Sequence, residues 1–165
     1  MTPQASVRHL RFESRLASSA PEVWDVVGTM RGVNAELGPW LRMSTPAELA
    51  DLRIVDAPVG HVLFSSWVLL GLPGMRAAIP VDRHHLRLER IEPGRSFYER
   101  STSWTERSWV HERIILPIDG DSCRLTDRLE LTPRITVAAP VIERVVEMVF
   151  RHRHAQLKRR FGPAD

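Results

Sequence analysis

Residues 61–132 hold a series of β-prone segments separated by turn-forming residues, and this pattern restricts the fold more than any other. Several segments alternate apolar and polar residues, as is typical of strands with one buried face. Pro93-Gly94 and Asp119-Gly120-Asp121 are turn sequences between neighbouring segments. Consecutive strands joined by tight turns predict an antiparallel meander. We expect its strands at residues 61–72, 83–92, 96–105, 108–118 and 122–132.

The chain before this meander predicts one strand followed by two short helices. Residues 7–16 alternate between a largely charged face and a more apolar one, which indicates a strand. Ser19-Ala20-Pro21-Glu22 matches a capping box with proline at the helix start. We expect Gly32 to break this first helix, and a second short helix over residues 34–37 to end at Gly38-Pro39.

A long helix is predicted over residues 138–161, before Gly162-Pro163. At 100° per residue its apolar residues form one stripe, which we expect to face the sheet and to be purely structural in the first half. His152, Arg153 and Gln156 extend the same side into the last turns. The stripe contains Ala138, Val141, Ile142, Val145, Val146 and Val149, and the opposite side contains Glu143, Glu147, Arg151, His154 and Lys158.

These elements predict an α+β fold in which a curved antiparallel sheet of about six or seven strands wraps around the long C-terminal helix, with two short helices after the first strand. A length of 165 residues with 43% hydrophobic residues fits a single domain over 1–165. We expect residues 1–5 to be flexible. A sheet curved in this way encloses more space than the helix fills, and small ligands bind in such concave, apolar interiors.

The chain resembles the START-like, or SRPBCC, superfamily of helix-grip domains, also called the polyketide-cyclase/lipid-transport group. The element order and the helix start Ala20-Pro21-Glu22-Val23-Trp24-Asp25-Val26 carry this resemblance over nearly the whole chain. The superfamily includes lipid carriers, hormone receptors, aromatase/cyclases and dehydratases, so the fold leaves the function open. Similarity to small bacterial members rests on Glu36-Leu37-Gly38-Pro39-Trp40, Trp109-Val110-His111-Glu112-Arg113, Thr126-Asp127-Arg128 and Phe150-Arg151-His152-Arg153-His154.

Strand alternation points to a cluster of polar residues inside the sheet. His111 and Arg113 share a strand face with Trp109, and Asp127 shares one with leucines on the next strand. If these faces are buried, the charges must be paired, and Glu99 is placed to join them. Four interpretations stay open: groups that orient a ligand, a His–Asp acid/base pair, a structural ion-pair network, and a surface ladder on the convex face.

Functional and structural interpretations both apply to the polar end of the last helix. His152, Arg153 and Gln156 could sit at the cavity mouth or clamp an anionic head group. Alternatively, they complement the helix macrodipole or pair with Glu36.

Several classes of function lack support in the sequence. Cys123 is the only cysteine, which leaves no internal disulfide or thiolate metal cluster, and the histidines lack metal-ligand spacing, so we expect no metal and no cofactor. A net charge of +3 and a basic run without interleaved aromatics argue against nucleic acid. Without a signal peptide or a membrane-spanning run, we expect a cytoplasmic protein with at most transient membrane contact.

We therefore expect a non-enzymatic protein that binds an apolar or aromatic small molecule, possibly lipid-like. The alternative is an aromatase/cyclase or dehydratase acting on a polyketide-like substrate, in which His111 or Asp127 moves protons and Arg113 polarises a carbonyl. A third is an interaction domain whose cavity is filled by its own side chains. The oligomeric state stays open, with a dimer as one option. The expected ligand-binding residues are Trp40, Trp67, Trp104 and Trp109 as walls, and Glu99, His111, Arg113, Asp127, His152 and Arg153 as polar groups.

Overall fold

A seven-stranded antiparallel sheet and a 23-residue C-terminal helix form the frame of the protein in a computed structural model. The structure describes residues 7–72, 74 and 77–165, so the expected flexibility of residues 1–5 lies outside the described residues. In this described part, no helix is both long and apolar enough to cross a bilayer. The elements are β1 (Arg8–Leu16), α1 (Ala20–Val27), α2 (Met30–Leu37), β2 (Leu41–Met43), β3 (Val62–Gly71), β4 (Ala78–Glu92), β5 (Ser96–Ser103), β6 (Glu106–Pro117), β7 (Cys123–Pro133) and α3 (Ala139–Phe161).

The strand order is β1-β7-β6-β5-β4-β3-β2, so β3 to β7 form the predicted meander and β1 and β2 form its edges. This confirms the α+β fold with a curved sheet, a long C-terminal helix and two short helices after the first strand. β4 is longer than expected and begins at Ala78 rather than residue 83, because its first residues pair with the end of β3. The short edge strand β2 was not predicted.

The junction between α1 and α2 corrects the predicted break at Gly32. α1 ends at Val27 with Gly28 as its C-cap, and the Thr29 side chain caps α2 by accepting a hydrogen bond from the backbone amide of Gly32. Gly32 lies inside α2 for a steric reason: a Cβ atom there would stand 1.9 Å from the backbone oxygen of Val26. The predicted capping box of Ser19 and Glu22 is present at the start of α1.

Two clusters of buried side chains form the core. The larger joins α1, the ends of β1, β6 and β7, and the last turns of α3, and it includes Cys123 as a small buried residue. The second centres on Phe150, which packs against Leu129 and Leu131 of β7. The larger cluster comprises Leu16, Ala20, Val23, Trp24, Val27, Ile115, Cys123, Leu125 and Leu157.

The packing face of α3 differs from the predicted stripe. In the second half of the helix the buried residues are Phe150, Arg153, His154 and Leu157, one position further along than the predicted stripe. β1 and α2 both contact α3, so His154, predicted on the solvent side, is only 6% exposed. In the first half, Val141 and Val145 are 67% and 46% exposed, so the prediction of a purely structural first half was wrong.

Candidate functional site

A cavity of about 430 Å³ lies between the inner face of the sheet, α2 and the first half of α3. This volume falls in the range of small-molecule sites, and most of the lining is aliphatic or aromatic. Side chains leave it unfilled, contrary to the alternative of a self-filled interior. Its apolar lining includes Val33, Leu37, Met43, Leu52, Phe64, Val68, Leu86, Leu88, Phe97, Trp109, Val141, Ile142, Val145, Val146, Val149 and Phe150.

A network of buried charges lies beside this cavity and begins with Arg113 and Asp127. These residues face each other across β6 and β7, and two hydrogen bonds of 2.7 and 2.8 Å join them. His111 Nε2 lies 2.8 Å from Oδ1 of the same carboxylate, the oxygen that also accepts from Arg113 Nε. Both Arg113 and Asp127 are fully buried, which excludes the surface ladder on the convex face.

α2 and α3 extend the network through Glu36. Arg113 donates two further hydrogen bonds, of 2.7 and 2.9 Å, to the carboxylate of Glu36. Arg153 donates from Nε to the same carboxylate at 2.9 Å, so the structure shows the pairing of the last helix with Glu36. The guanidinium of Arg153 also lies 4.7 Å from the ring centre of Phe150.

His154 completes the far side of the network. Its Nε2 lies 3.0 Å from Asp127 and its Nδ1 lies 2.7 Å from the hydroxyl of Ser14 on β1. The helical-wheel prediction missed this residue because α3 is covered from two directions at this level. A histidine inside a basic run gave no other signal of burial.

On the cavity side, Glu99 of β5 contacts two histidines. Its carboxylate lies 2.6 Å from His84 Nε2 and 3.5 Å from His111 Nδ1, and it accepts a 2.6 Å hydrogen bond from Ser101. The ring of His111 packs edge-on against those of Phe97 and Phe150. His84, Glu99, His111 and Arg153 all line the cavity, so this edge of the network forms its polar wall.

The contacts set the ionisation of the network. Burial opposes the charge of Asp127, but the charges and hydrogen bonds of Arg113 and His111 together outweigh it and hold the pKa of Asp127 well below its usual range. Burial likewise opposes the charge of Glu36, yet Arg113 and Arg153 lower its pKa. Burial would lower the pKa of His111, but Asp127 and Glu99 raise it. Three carboxylates, those of Glu36, Glu99 and Asp127, therefore face two guanidinium groups and His111, whose charged form they favour.

The remaining predicted site residues lie away from the cavity lining. Trp40 and Trp104 are 51% and 57% exposed, and Trp67 packs edge-on against Trp104 with Arg83 over its ring. These three tryptophans are not among the described residues that line the cavity, because strand alternation and the loop after α2 direct them elsewhere. Arg113 and Asp127 lie behind the polar wall, and His152 contacts the backbone oxygen of Gly38 at 2.7 Å.

Glu106, which the sequence analysis did not consider, also lines the cavity. Counting back from His111 by strict alternation would place it on the outer face of β6. A register irregularity between Glu106 and Ser108 turns it inward, where it is only 1% exposed. Neither carboxyl oxygen has a hydrogen-bond partner among the described residues. Periodicity alone gives no signal for a bulge at this position.

The polar groups of the network are already engaged with one another. No group of three or more His, Cys, Asp or Glu side chains within the described ranges is arranged to hold a metal ion. The carboxylates of the network are already taken by arginine and histidine, so they lack free positions for a cation.

Comparison with known proteins gives one match to a family model. A family model described as "Domain of unknown function (DUF8410)" matches residues 14–161. A search of curated proteins found no match.

Solved structures with low sequence identity share the architecture. A START superfamily protein from Mycobacterium smegmatis is 11% identical, with 93% of this chain and 96% of that chain covered and a TM-score of 0.62. The Zhui aromatase/cyclase from Streptomyces sp. R1128 is 15% identical, with 92% of each chain covered and a TM-score of 0.62.

Norcoclaurine synthase from Thalictrum flavum, solved in complex with dopamine and hydroxybenzaldehyde, is 11% identical. The match covers 93% of this chain and 86% of that chain, with a TM-score of 0.57. At such identities the likeness shows the START-like helix-grip fold and no activity.

Proposed function

The chain belongs to the family described as domain of unknown function (DUF8410), and we propose that this protein binds an apolar or aromatic small molecule in its internal cavity. The observation that carries the proposal is an unfilled space of about 430 Å³ with a mostly apolar wall. Burying apolar ligand surface there is favourable by roughly 25 cal/mol per Å² before the costs of association. START-like neighbours, among them an aromatase/cyclase, support a ligand-binding use of the same fold.

The polar wall orients the bound ligand. Glu99, His111 and Arg153 reach the cavity surface while their other contacts hold them in place. A ligand with a polar group at one end therefore meets pre-positioned partners there. Binding then costs little side-chain entropy, because these side chains are already ordered. Trp109, whose ring packs edge-on against His84, is the one tryptophan of the proposed walls that lines the cavity.

Native mass spectrometry of freshly purified protein tests the proposal. We expect a co-purifying apolar or aromatic compound on the wild-type chain. Val146→Trp fills the cavity from α3 and should lose it, whereas the control Val137→Trp changes a residue that is 87% exposed and outside the lining. The neutral fluorescent probe N-phenyl-1-naphthylamine gives a second readout. Its fluorescence should rise when it is added to wild type or to Val137→Trp, but not when it is added to Val146→Trp. Equal signals from all three proteins would refute cavity binding.

A second candidate, a cyclase or dehydratase, has one observation in its favour. His111 lines the cavity and is backed by Asp127 at 2.8 Å, an arrangement that orients histidine in many acid/base sites. However, both His111 nitrogens face carboxylates, and Arg113 directs four hydrogen bonds at Asp127 and Glu36, which favours binding over catalysis. Turnover of a polyketide-like substrate that His111→Gln abolishes, with binding retained, would support the enzyme.

A further inference from the structure

Glu106 is a buried acidic side chain that the polar network does not use. It begins β6, is 1% exposed and lines the cavity, and neither of its carboxyl oxygens has a hydrogen-bond partner among the described residues. The other buried carboxylates, those of Glu36, Glu99 and Asp127, each face at least two cationic or hydrogen-bonding side chains.

An unpaired buried carboxyl group costs free energy, because it gives up water without gaining a partner. Folded proteins pair nearly all such groups, so an exception inside a ligand-sized cavity has a specific physical meaning. A ligand that supplies the missing partner removes this cost on binding.

The surroundings of Glu106 determine which partner fits. Asp82 of β4 also lines the cavity, and its oxygens accept hydrogen bonds from the backbone amides of Arg83 and Trp104 and from the Thr105 hydroxyl. Burial, and then the Asp82 charge, raise the pKa of Glu106 to about 7; the backbone amide of Thr132, which approaches the carboxyl group without hydrogen-bond geometry, partly offsets this rise. This end of the cavity is acidic and repels a ligand carboxylate.

Within the polar wall, His111 lies five residues further along β6 than Glu106, which at about 3.3 Å per residue is on the order of 15 Å of strand. The two polar positions are thus separated by apolar surface that includes Trp109. A ligand that reaches both carries polar groups toward opposite ends of an apolar body.

We propose that Glu106 selects ligands that present a hydrogen-bond donor, a hydroxyl or amino group, at this end of the cavity, and that it excludes ligands that present a carboxylate there. The inference rests on the proposed function, because it requires a ligand in the cavity. A donor group pairs with the Glu106 oxygens and adds no negative charge beside Asp82. A carboxylate would place a third acidic group in the same apolar surroundings.

Three probes with the same ten-carbon chain test this selection: 1-decanol, decylamine and decanoic acid. Each is titrated against bound N-phenyl-1-naphthylamine, which lacks a charged group. For wild type we expect decanol and decylamine to displace it at concentrations about tenfold or more below those needed for decanoic acid. Glu106→Gln should reduce this ratio to about threefold or less, and Glu106→Leu should remove it, with naphthylamine binding retained in both.

Glu112→Gln is the matched control, because Glu112 lies on the same strand but pairs with Arg90 and Arg128 on the outer face. It should keep the wild-type ratio. An unchanged ratio in Glu106→Gln, or equal binding of all three probes to wild type, overturns the role of Glu106 while cavity binding stands. If Val146→Trp binds the naphthylamine as well as wild type does, the proposed function itself fails. Circular dichroism verifies folding, and the Gln variant alone decides if the Leu variant does not fold.

Discussion

Arg113 joins two acidic side chains that come from distant parts of the chain. Glu36 on α2 and Asp127 on β7 each accept two of its hydrogen bonds, and all three residues are at most 4% exposed. Coulomb attraction between buried groups offsets their large desolvation cost only while every charge is paired. The network is therefore sensitive to the loss of any one member.

Replacing Arg113 with methionine should lower the free energy of unfolding by about 3–5 kcal/mol, because it leaves two carboxylates buried without their main partner. Arg128→Met is the control, since Arg128 is exposed and its contact with Glu112 is 3.4 Å long. An exposed pair of this kind contributes roughly 0–1 kcal/mol. Urea unfolding of the three proteins measures the difference, and similar losses in both variants would contradict the paired network.

Glu106 gives the apo protein a specific pH dependence. Its pKa rises from 4.5 to about 7 on folding, through burial and the nearby charge of Asp82. Between these values the folded state binds more protons than the unfolded state, so this contribution to stability falls as pH rises and is lost above about pH 7. Glu106→Gln lacks it. We expect the free energy of unfolding of wild type, relative to that of Glu106→Gln, to fall from pH 4.5 to pH 7 in urea titrations. If the two free energies change with pH in the same way, the raised pKa of Glu106 is contradicted.

At the scale of elements, the tight junction between α1 and α2 depends on Gly32. Val26 of α1 approaches so closely that a Cβ atom at Gly32 would stand 1.9 Å from its carbonyl oxygen. Gly32→Ala should force the helices apart and cost about 1–3 kcal/mol. Gly120→Ala is the control, because its Cβ atom would meet nothing within 4 Å, and it should stay within about 0.5 kcal/mol. Thermal unfolding compares the stability of the two variants. If Gly32→Ala leaves the free energy of unfolding unchanged, the helices can move apart without cost, which would contradict this prediction.

Elements that follow one periodicity were predictable from sequence, and departures from it were not. The alternation of β6 and β7 brought Arg113 opposite Asp127 because an uninterrupted antiparallel register preserves faces. The irregularity after Glu106 reverses the face of one residue without a sequence marker. Glu36 is 77 positions from Arg113, and only the tertiary packing of α2 brings them together. His154 was misplaced because a single-stripe wheel assumes one packing partner, whereas α3 has several.

In the whole molecule, the two halves of α3 have different surroundings. The C-terminal half packs into the closed end of the sheet, where Leu157 is 2% exposed and belongs to the larger core cluster. The N-terminal half borders the cavity, and Val145 lines it while staying 46% exposed. A helix divided in this way supplies stability at one end and a ligand-facing wall at the other.

This division predicts separable effects of two truncations on one helix. Leu157→Ala should lower the free energy of unfolding by about 2–5 kcal/mol, because it leaves a cavity in a closed core. Val145→Ala should change it by only about 0.5 kcal/mol, since half of the side chain already contacts solvent. Naphthylamine affinity should respond in the opposite order, falling in Val145→Ala and staying near wild type in Leu157→Ala at temperatures where that variant is folded. If both properties changed together in each variant, the cavity and the core would form one cooperative packing unit instead of two regions with distinct roles.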